Sequence, residues 1–415
     1  MNILWSVNII MPDIAKKLGL KSGHAISWVD AMSARLCKRN DVAIAIAGPA
    51  NVPSLMKETV NGIVYYVFPK NTKDPWHDII RDFGPDIIHA YGTEKPHNLS
   101  LVKQYKDVPI IVSLQGILSE YQRHYYAGID FSEMIRFISL KSCLLKDGFF
   151  SGRRDFIRRA KQEREILCEC RYVEGRSTWD RVSALNINPN LSYYYCPRMI
   201  RAPFFENNWD INSMEKHSVF VHQGNYPIKG LHYVFMAIHK LKYKYPDIKL
   251  YIAGSGYFYP QTFKQRILQP PYVKYLKSLM KRLDIESNIE FTGFLSANDL
   301  AKKISKVNVL VIPSSIENAP NSLAEAEIVG TPTIATFVGG NMDMLEHKKD
   351  GYLYCYNEPN MLAEYITCIF DSNELAISFS NSARTTARNR HNPEKLEKML
   401  LDIYREIINN KYETY

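Results

Sequence analysis

One rhythm constrains this chain more than anything else. Short β-branched, apolar runs end in glycine or polar loops, and each loop leads into a helical pattern. Val307 to Pro313 (VNVLVIP) is the clearest such run. It lacks the apolar-polar alternation of a half-exposed hairpin, so it reads as a buried strand of a parallel sheet. The first half carries the same signal at Ile3–Ile10, followed by a loop with Gly19 and Gly23. A helix is expected from about His24 to Lys38, where Ile26, Val29, Met32, Ala34 and Leu36 recur at roughly helical spacing. Further strands are expected at Val42–Gly48, Ile63–Phe68, Asp86–His89 and Pro109–Gln115. The pattern then restarts. VFVHQGNYPIKG (Val219–Gly230) precedes an amphipathic helix to about Tyr245, and strands follow at Ile248–Gly256 and Ile289–Ser296. Ser296 and Asp299 resemble a capping box for a helix leading to Ile304. A chain of 415 residues is too long for one ordinary core. The class is therefore α/β, with two Rossmann-like, doubly wound domains expected over 1–205 and 206–390. Residues 391–415 read as a terminal helix, with Asn392 as cap, Pro393 in the first turn and an apolar stripe from Leu396 to Ile408.

The segment from Pro313 to Gly351 narrows the chemistry. After the VNVLVIP strand come polar turn residues, then a helix from about Ser322 to Val329, closed by Gly330 with Pro332 beyond. Glu317 and Glu325 stand eight positions apart around the mouth of that helix. A strand–loop–helix of this kind aims unpaired N–H groups and a positive dipole end above the sheet, which favours a phosphate or diphosphate. Carboxylates on the loop and one turn into the helix can accept hydrogen bonds from sugar hydroxyls beside that phosphate.

Glu317/Glu325, Gly330-Thr331-Pro332, Gly339-Gly340 and Asp350-Gly351, in this order after a strand, resemble the signature of family 4 glycosyltransferases. These are retaining enzymes of GT-B fold, with two domains facing across a cleft. The resemblance is good over about 205–390 and looser before it. It implies that the terminal helix crosses back onto the first domain. It also implies that Glu325 holds the nucleotide ribose, Glu317 the donor sugar and Lys229 the donor diphosphate. Backbone amides from Ala319 to Leu323, among them Asn321 and Ser322, would hold the distal phosphate. Gly254, Gly256 and the Thr292-Gly293-Phe294 turn would lie by the base and ribose. Gly23 belongs to the loop that approaches the donor phosphates and the acceptor. His89, in Pro85-Asp86-Ile87-Ile88-His89, matches a histidine near the cleft, with a buried structural histidine as the alternative.

Two positions depart from the pattern. Gly224 stands where the family usually carries an arginine, so the diphosphate is expected to rely either on another cation, with Arg176 and Arg201 as candidates, or on the helix at Ser322. Gln115 stands where many relatives carry a histidine. The resemblance implies no cofactor and no metal, only a UDP- or GDP-sugar as substrate. The expected activity moves a hexose-type sugar to a glycan or lipid-linked acceptor in surface polysaccharide assembly. An inactive nucleotide-sugar-binding subunit and a transferase for a soluble acceptor are the alternatives.

Composition bears on location. Hydrophobic residues make up 46%, ordinary for a globular protein, and no uncharged apolar stretch approaches the ~20 residues that span a bilayer. Met1 opens into NILWSVNII without an export signal, and seven scattered cysteines form no framework. A reducing cytoplasm is the expectation. Net charge is +9, and SGRRDFIRRAKQER (Ser151–Arg164) concentrates cations just after the apolar pieces Phe137–Leu140, Leu144-Leu145 and Phe149-Phe150. Arg153, Arg154, Arg158 and Arg159 can face an anionic membrane surface, or the stretch can be a solvated helix with its apolar side inward. No nucleic-acid-binding motif accompanies the charge, so nucleic acid is not an expected partner.

Overall fold

The computed structural model describes residues 1–20, 27–138, 148–222, 224–254, 258, 262 and 269–412, side chains at 27, 411 and 412 excepted. Gly23, Gly256, the expected helix start at His24 and the apolar residues Leu140, Leu144 and Leu145 lie outside the described residues. The chain divides into two units. One comprises 1–119, 158–201 and 391–415, and the other 120–157 and 202–390.

The first unit is built on an eight-stranded sheet of order β3-β4-β2-β1-β5-β6-β7-β8. Its strands are β1 (Asn2–Ser6), β2 (Ala43–Ala50), β3 (Met56–Val60), β4 (Ile63–Pro69), β5 (Ile87–Tyr91), β6 (Ile110–Ser113), β7 (Tyr172–Gly175) and β8 (Ser192–Tyr195). All pairings are parallel except β3–β4, a hairpin turned by Asn61 and Gly62, both at positive φ. The terminal helix Pro393–Tyr412 packs into this unit. Leu396, Leu400, Tyr404 and Ile407 share one buried cluster with Ile3, Trp5 and Ile44. The Asn392 side chain caps the helix, accepting from the Glu394 and Lys395 amides at 3.0 Å each.

The second unit holds six parallel strands: β9 (Glu215–Val221), β10 (Lys249–Ala253), β11 (Ile289–Gly293), β12 (Val307–Ile312), β13 (Thr333–Thr336) and β14 (Tyr352–Tyr354). Their spatial order is β11-β10-β9-β12-β13-β14. Counted from its own first strand this is 3-2-1-4-5-6, the doubly wound dinucleotide-binding order. Every residue of β12 is buried, as a near-continuous apolar run flanked on both faces requires. The one polar member, Asn308, is satisfied by exchange with β9. Its side chain accepts from the His217 amide at 3.2 Å, and its own amide donates to Ser218 Oγ at 2.9 Å.

Residues 120–157, assigned from sequence to the N-terminal domain, instead cluster with the second unit, and the later division falls at 201/202 rather than 205/206. Side-chain anchors account for the difference. Ser315 Oγ donates to the His124 carbonyl at 3.0 Å, the His232 ring bonds the Ala127 carbonyl at 3.0 Å, and Arg282 pairs with Glu133 at 2.6 Å. Among the described residues no helix is long and apolar enough to cross a membrane.

Candidate active site

In a doubly wound sheet, ligands bind outside the carboxyl ends of the strands where the winding direction reverses. In the second unit that point lies between β9 and β12. The loop after β9 ends in a short 3₁₀ turn, Pro227–Lys229, and Gly230 follows at φ 66°. A Cβ on Gly230 would lie 1.9 Å from the Pro313 carbonyl oxygen at the end of β12, so only glycine lets the two loops meet. The Ser315 amide donates to the Ile228 carbonyl at 2.8 Å and closes the same junction. This backbone contact brings Lys229 onto Glu317.

Lys229 Nζ pairs with Glu317 Oε1, which also accepts from Ser314 Oγ at 2.7 Å. The Lys229 side chain is 20% exposed and that of Glu317 9%. Burial pulls the Lys229 pKa down, but the charge of Glu317, then Tyr226 and Tyr121, outweighs it, and the ammonium titrates well above its ordinary range. Lys229 is therefore a fixed cation at any physiological pH.

Glu317 is held from behind as well. A Cβ on Gly339 (φ 50°) would lie 1.9 Å from the Glu317 carbonyl oxygen, and the Gly340 amide donates to that oxygen at 3.1 Å. Thr336 Oγ1 donates to the Ser314 carbonyl at 2.6 Å. The second glycine pair of the sequence motif thus clamps the loop that carries the first carboxylate.

The helix after β12 runs Asn321–Val329 and ends at Gly330, whose φ is 84°. Its opening turn corrects the expected run of phosphate-facing amides. Pro320 has no N–H, and the Leu323 amide donates to the Pro320 carbonyl at 3.1 Å. Leu323 therefore drops out, and Asn321 and Ser322 occupy the first two helical positions, where no acceptor exists within the helix. Glu325 sits one turn in and is buried, at 4% exposure. On the other flank, the Gly254 amide donates to the Gly293 carbonyl at 2.9 Å. Both glycines have positive φ, 121° and 71°, and Phe294 beyond them is 72% exposed. Gly224 is buried against Leu231, and a Cβ there would meet Leu231 Cδ2 at 2.2 Å, so a longer side chain requires the Leu231 side chain to shift.

His89, Arg176 and Arg201 belong to the first unit. Of the two readings of His89, a catalytic histidine near the cleft and a buried structural one, the geometry favours the second: its side chain is wholly buried in β5. One ring nitrogen bonds the Tyr404 hydroxyl at 2.6 Å, the other lies 3.5 Å from Glu174, and the ring stacks on Tyr91 at 4.1 Å. Burial drives its pKa below the ordinary value, so it is a neutral structural histidine. Burial alone would raise Glu174, yet Arg198, His89 and Ser113 outweigh it and bring it down to about 2. Arg176 donates to the Gln115 carbonyl at 3.0 Å, and its backbone amide to Asp180 at 2.8 Å. Ser314 and Ser315 are site residues that sequence reasoning missed. The only signal was their place directly after an all-buried strand.

Residues 202–386, which contain Lys229, Glu317 and Glu325, match the family model described as "Glycosyl transferases group 1". Over the whole chain there is 24% identity across 404 residues, 95% of this chain and 91% of the relative, to YtcC of Bacillus subtilis (strain 168), provisionally named a glycosyltransferase. A shorter match, 26% over 156 residues, is to WcaL of Escherichia coli (strain K12), provisionally named for colanic acid biosynthesis. It spans 36% of this chain and 35% of the relative. In three dimensions the chain resembles Anabaena HepE, solved in complex with UDP-glucose, with TM-score 0.67 at 15% identity, covering 98% of this chain and 100% of that one. The two parallel-sheet units are those of a GT-B fold, and the comparisons support a glycosyltransferase.

Proposed function

We propose that this protein is a retaining glycosyltransferase that moves a hexose-type sugar from a UDP- or GDP-sugar to a glycan or lipid-linked acceptor. The observation that carries this reading is the Lys229–Glu317 pair at the winding reversal of the second sheet. HepE with its UDP-glucose supports a nucleotide-sugar donor, and WcaL supports a role in surface polysaccharide assembly. In the proposed reaction the bond between C1 and the diphosphate oxygen breaks as the acceptor oxygen bonds C1 from the same face. The acceptor proton passes to the departing phosphate oxygen, so no strong protein base is required. Lys229 and the amides of Asn321 and Ser322 stabilise the charge that develops on the diphosphate. Glu317 then exchanges its ammonium partner for sugar hydroxyls, and Glu325 binds the ribose. This charge stabilisation proceeds without a metal.

A thermal-shift screen across nucleotide sugars tests the reading, because a ligand that binds only the folded state raises its midpoint. Glu325→Ala is expected to weaken nucleoside diphosphate and intact donor alike by about ten- to a hundredfold, the loss of a charged hydrogen-bond acceptor. Calorimetry on the folded variant checks this, and wild-type nucleotide affinity would refute the ribose assignment.

Location is proposed at the cytoplasmic face of a membrane. In the helix Phe149–Glu169, Arg154, Arg158, Lys161 and Arg164 are exposed, whereas Arg153 and Arg159 are only partly so. Arg153 lies over the Tyr126 ring at 5.6 Å and donates to the Gln122 carbonyl at 3.1 Å. Replacing the four exposed cations with Ser is expected to release the protein from anionic vesicles, each contributing about 1 kcal/mol at low salt. Sedimentation with vesicles measures the effect, and a wild type that never sediments at low salt would rule the surface out.

A further inference from the structure

Within the second unit, the short helix Phe131–Arg136 turns apolar side chains to water. Its inward contacts are made by other residues. Glu133 pairs with Arg282 at 2.6 Å, Met134 is buried, and just past the helix the Phe137 ring meets Tyr275 edge-on at 5.9 Å. On the outer side, Phe131 is 63% exposed, Ile135 48% and Ile138 41%. They stand at i, i+4 and i+7, and the Ile138 amide donates to the Ile135 carbonyl at 3.0 Å, so the turn continues and the three share one face. A single exposed apolar residue is ordinary, whereas three large ones in a stripe make an interaction face. Cations flank it. Arg136 is exposed beside Ile135, and Phe150 meets Phe131 edge-on at 5.9 Å where the helix Phe149–Glu169 begins, the helix that carries exposed Arg154. From Phe131 to Ile157 five Lys and Arg stand against three Asp and Glu, one of which, Glu133, is already neutralised by Arg282. Asp130, just before the short helix, is an exposed carboxylate.

We propose that the Phe131–Ile135–Ile138 face is an apolar wedge that enters the headgroup region of an anionic lipid bilayer, with Arg136 and Arg154 against the lipid phosphates. The inference rests on the membrane location proposed above and adds what cations alone do not supply, a part of the binding that salt leaves in place. Attraction between exposed arginines and lipid phosphates is screened beyond about 10 Å at 0.1 M salt, whereas apolar burial is not. A lipid surface suits this face better than a second protein does. Headgroups answer the arginines, acyl chains take up the phenyl ring and the branched side chains, and neither has to match a particular shape. The Glu133–Arg282 pair and the packing of Met134 and Phe137 hold the helix on its unit, so the wedge is presented without an ordering cost on binding.

The test uses the full chain and vesicles of phosphatidylcholine mixed equally with phosphatidylglycerol. The wild type is expected to sediment with them at low salt and to keep part of that binding at high salt. Phe131→Ser/Ile135→Ser is expected to weaken the low-salt partition about tenfold and to abolish the high-salt fraction, while its thermal midpoint shows it folded. Phe131→Trp keeps an aromatic ring in place, and its added emission, with the wild-type signal subtracted, is expected to shift to the blue on vesicles. A double variant that sediments like the wild type at both salt levels, or an unshifted emission from Phe131→Trp, overturns the wedge and leaves a purely electrostatic contact. A wild-type dimer in vesicle-free buffer that the double variant dissolves assigns the face to a second copy and overturns the wedge too. A wild type that never sediments, even at low salt, overturns the membrane location itself, and the wedge with it.

Discussion

Lys229→Met is expected to cut donor hydrolysis and sugar transfer by about 10²–10³-fold, the usual loss when one preorganised group facing a developing anion is removed. The reason lies in the geometry. Lys229 is the cation that the Gly230–Pro313 contact presses against Glu317, and it remains charged because Glu317 outweighs the cost of burial. Its folded-state pKa is raised, so the stability it contributes is complete at neutral pH and fades only as strong alkali takes the pH through that value. The same substitution strands Glu317, a 9% exposed carboxylate, without its partner. Breaking a fully buried pair costs about 3–5 kcal/mol, and less is expected here because the Lys229 side chain is 20% exposed. Lys229→Met/Glu317→Gln removes both charges and is expected to recover much of the lost stability while remaining inactive. Kinetics and thermal midpoints on the single and double variants separate the two roles. A single variant with wild-type turnover would remove Lys229 from the mechanism.

Gly339→Ala is expected to damage the site without touching a charged residue. An alanine there combines left-handed backbone at φ 50° with a Cβ 1.9 Å from the Glu317 carbonyl. Left-handed strain of about 1–2 kcal/mol and overpacking of about 1–3 kcal/mol act together. The backbone of the Glu317 loop must then move, so turnover falls along with the thermal midpoint. Gly293→Ala is the comparison, since φ is 71° but a Cβ there meets nothing within 4 Å. It is expected to show the strain alone, a clearly smaller drop in midpoint. Equal drops would mean that the contact with Glu317 carries no weight.

Much of this was legible in the sequence, for identifiable reasons. β12 and the C-terminal parts of β9 and β10 are apolar runs that end where the chain must turn sharply, and burial there leaves little freedom in residue choice. Gly230, Gly330 and Gly339 could be read because positive φ and close approach admit almost no other residue. What stayed hidden depends on distant partners. β3 (MKETV) is a charged edge strand, and β7 and β8 are four residues each, too short for period-two patterning to stand out. Its hairpin did carry a signal in Asn61-Gly62. The burial of His89 depends on Tyr404, 315 positions away, so a motif match alone read it as a site residue. The allegiance of residues 120–157 is likewise set by Ser315 and His232, and nothing local announces it.

Calorimetric titration of the wild type, Lys229→Met and Glu325→Ala with a panel of UDP- and GDP-sugars tests the central claim most directly. One saturable site on the wild type for at least one donor is the predicted result, with binding weakened about tenfold or more by Glu325→Ala and by Lys229→Met. No saturable binding to any donor, or binding indifferent to both substitutions, would contradict a nucleotide-sugar site at the junction of the β9 and β12 loops.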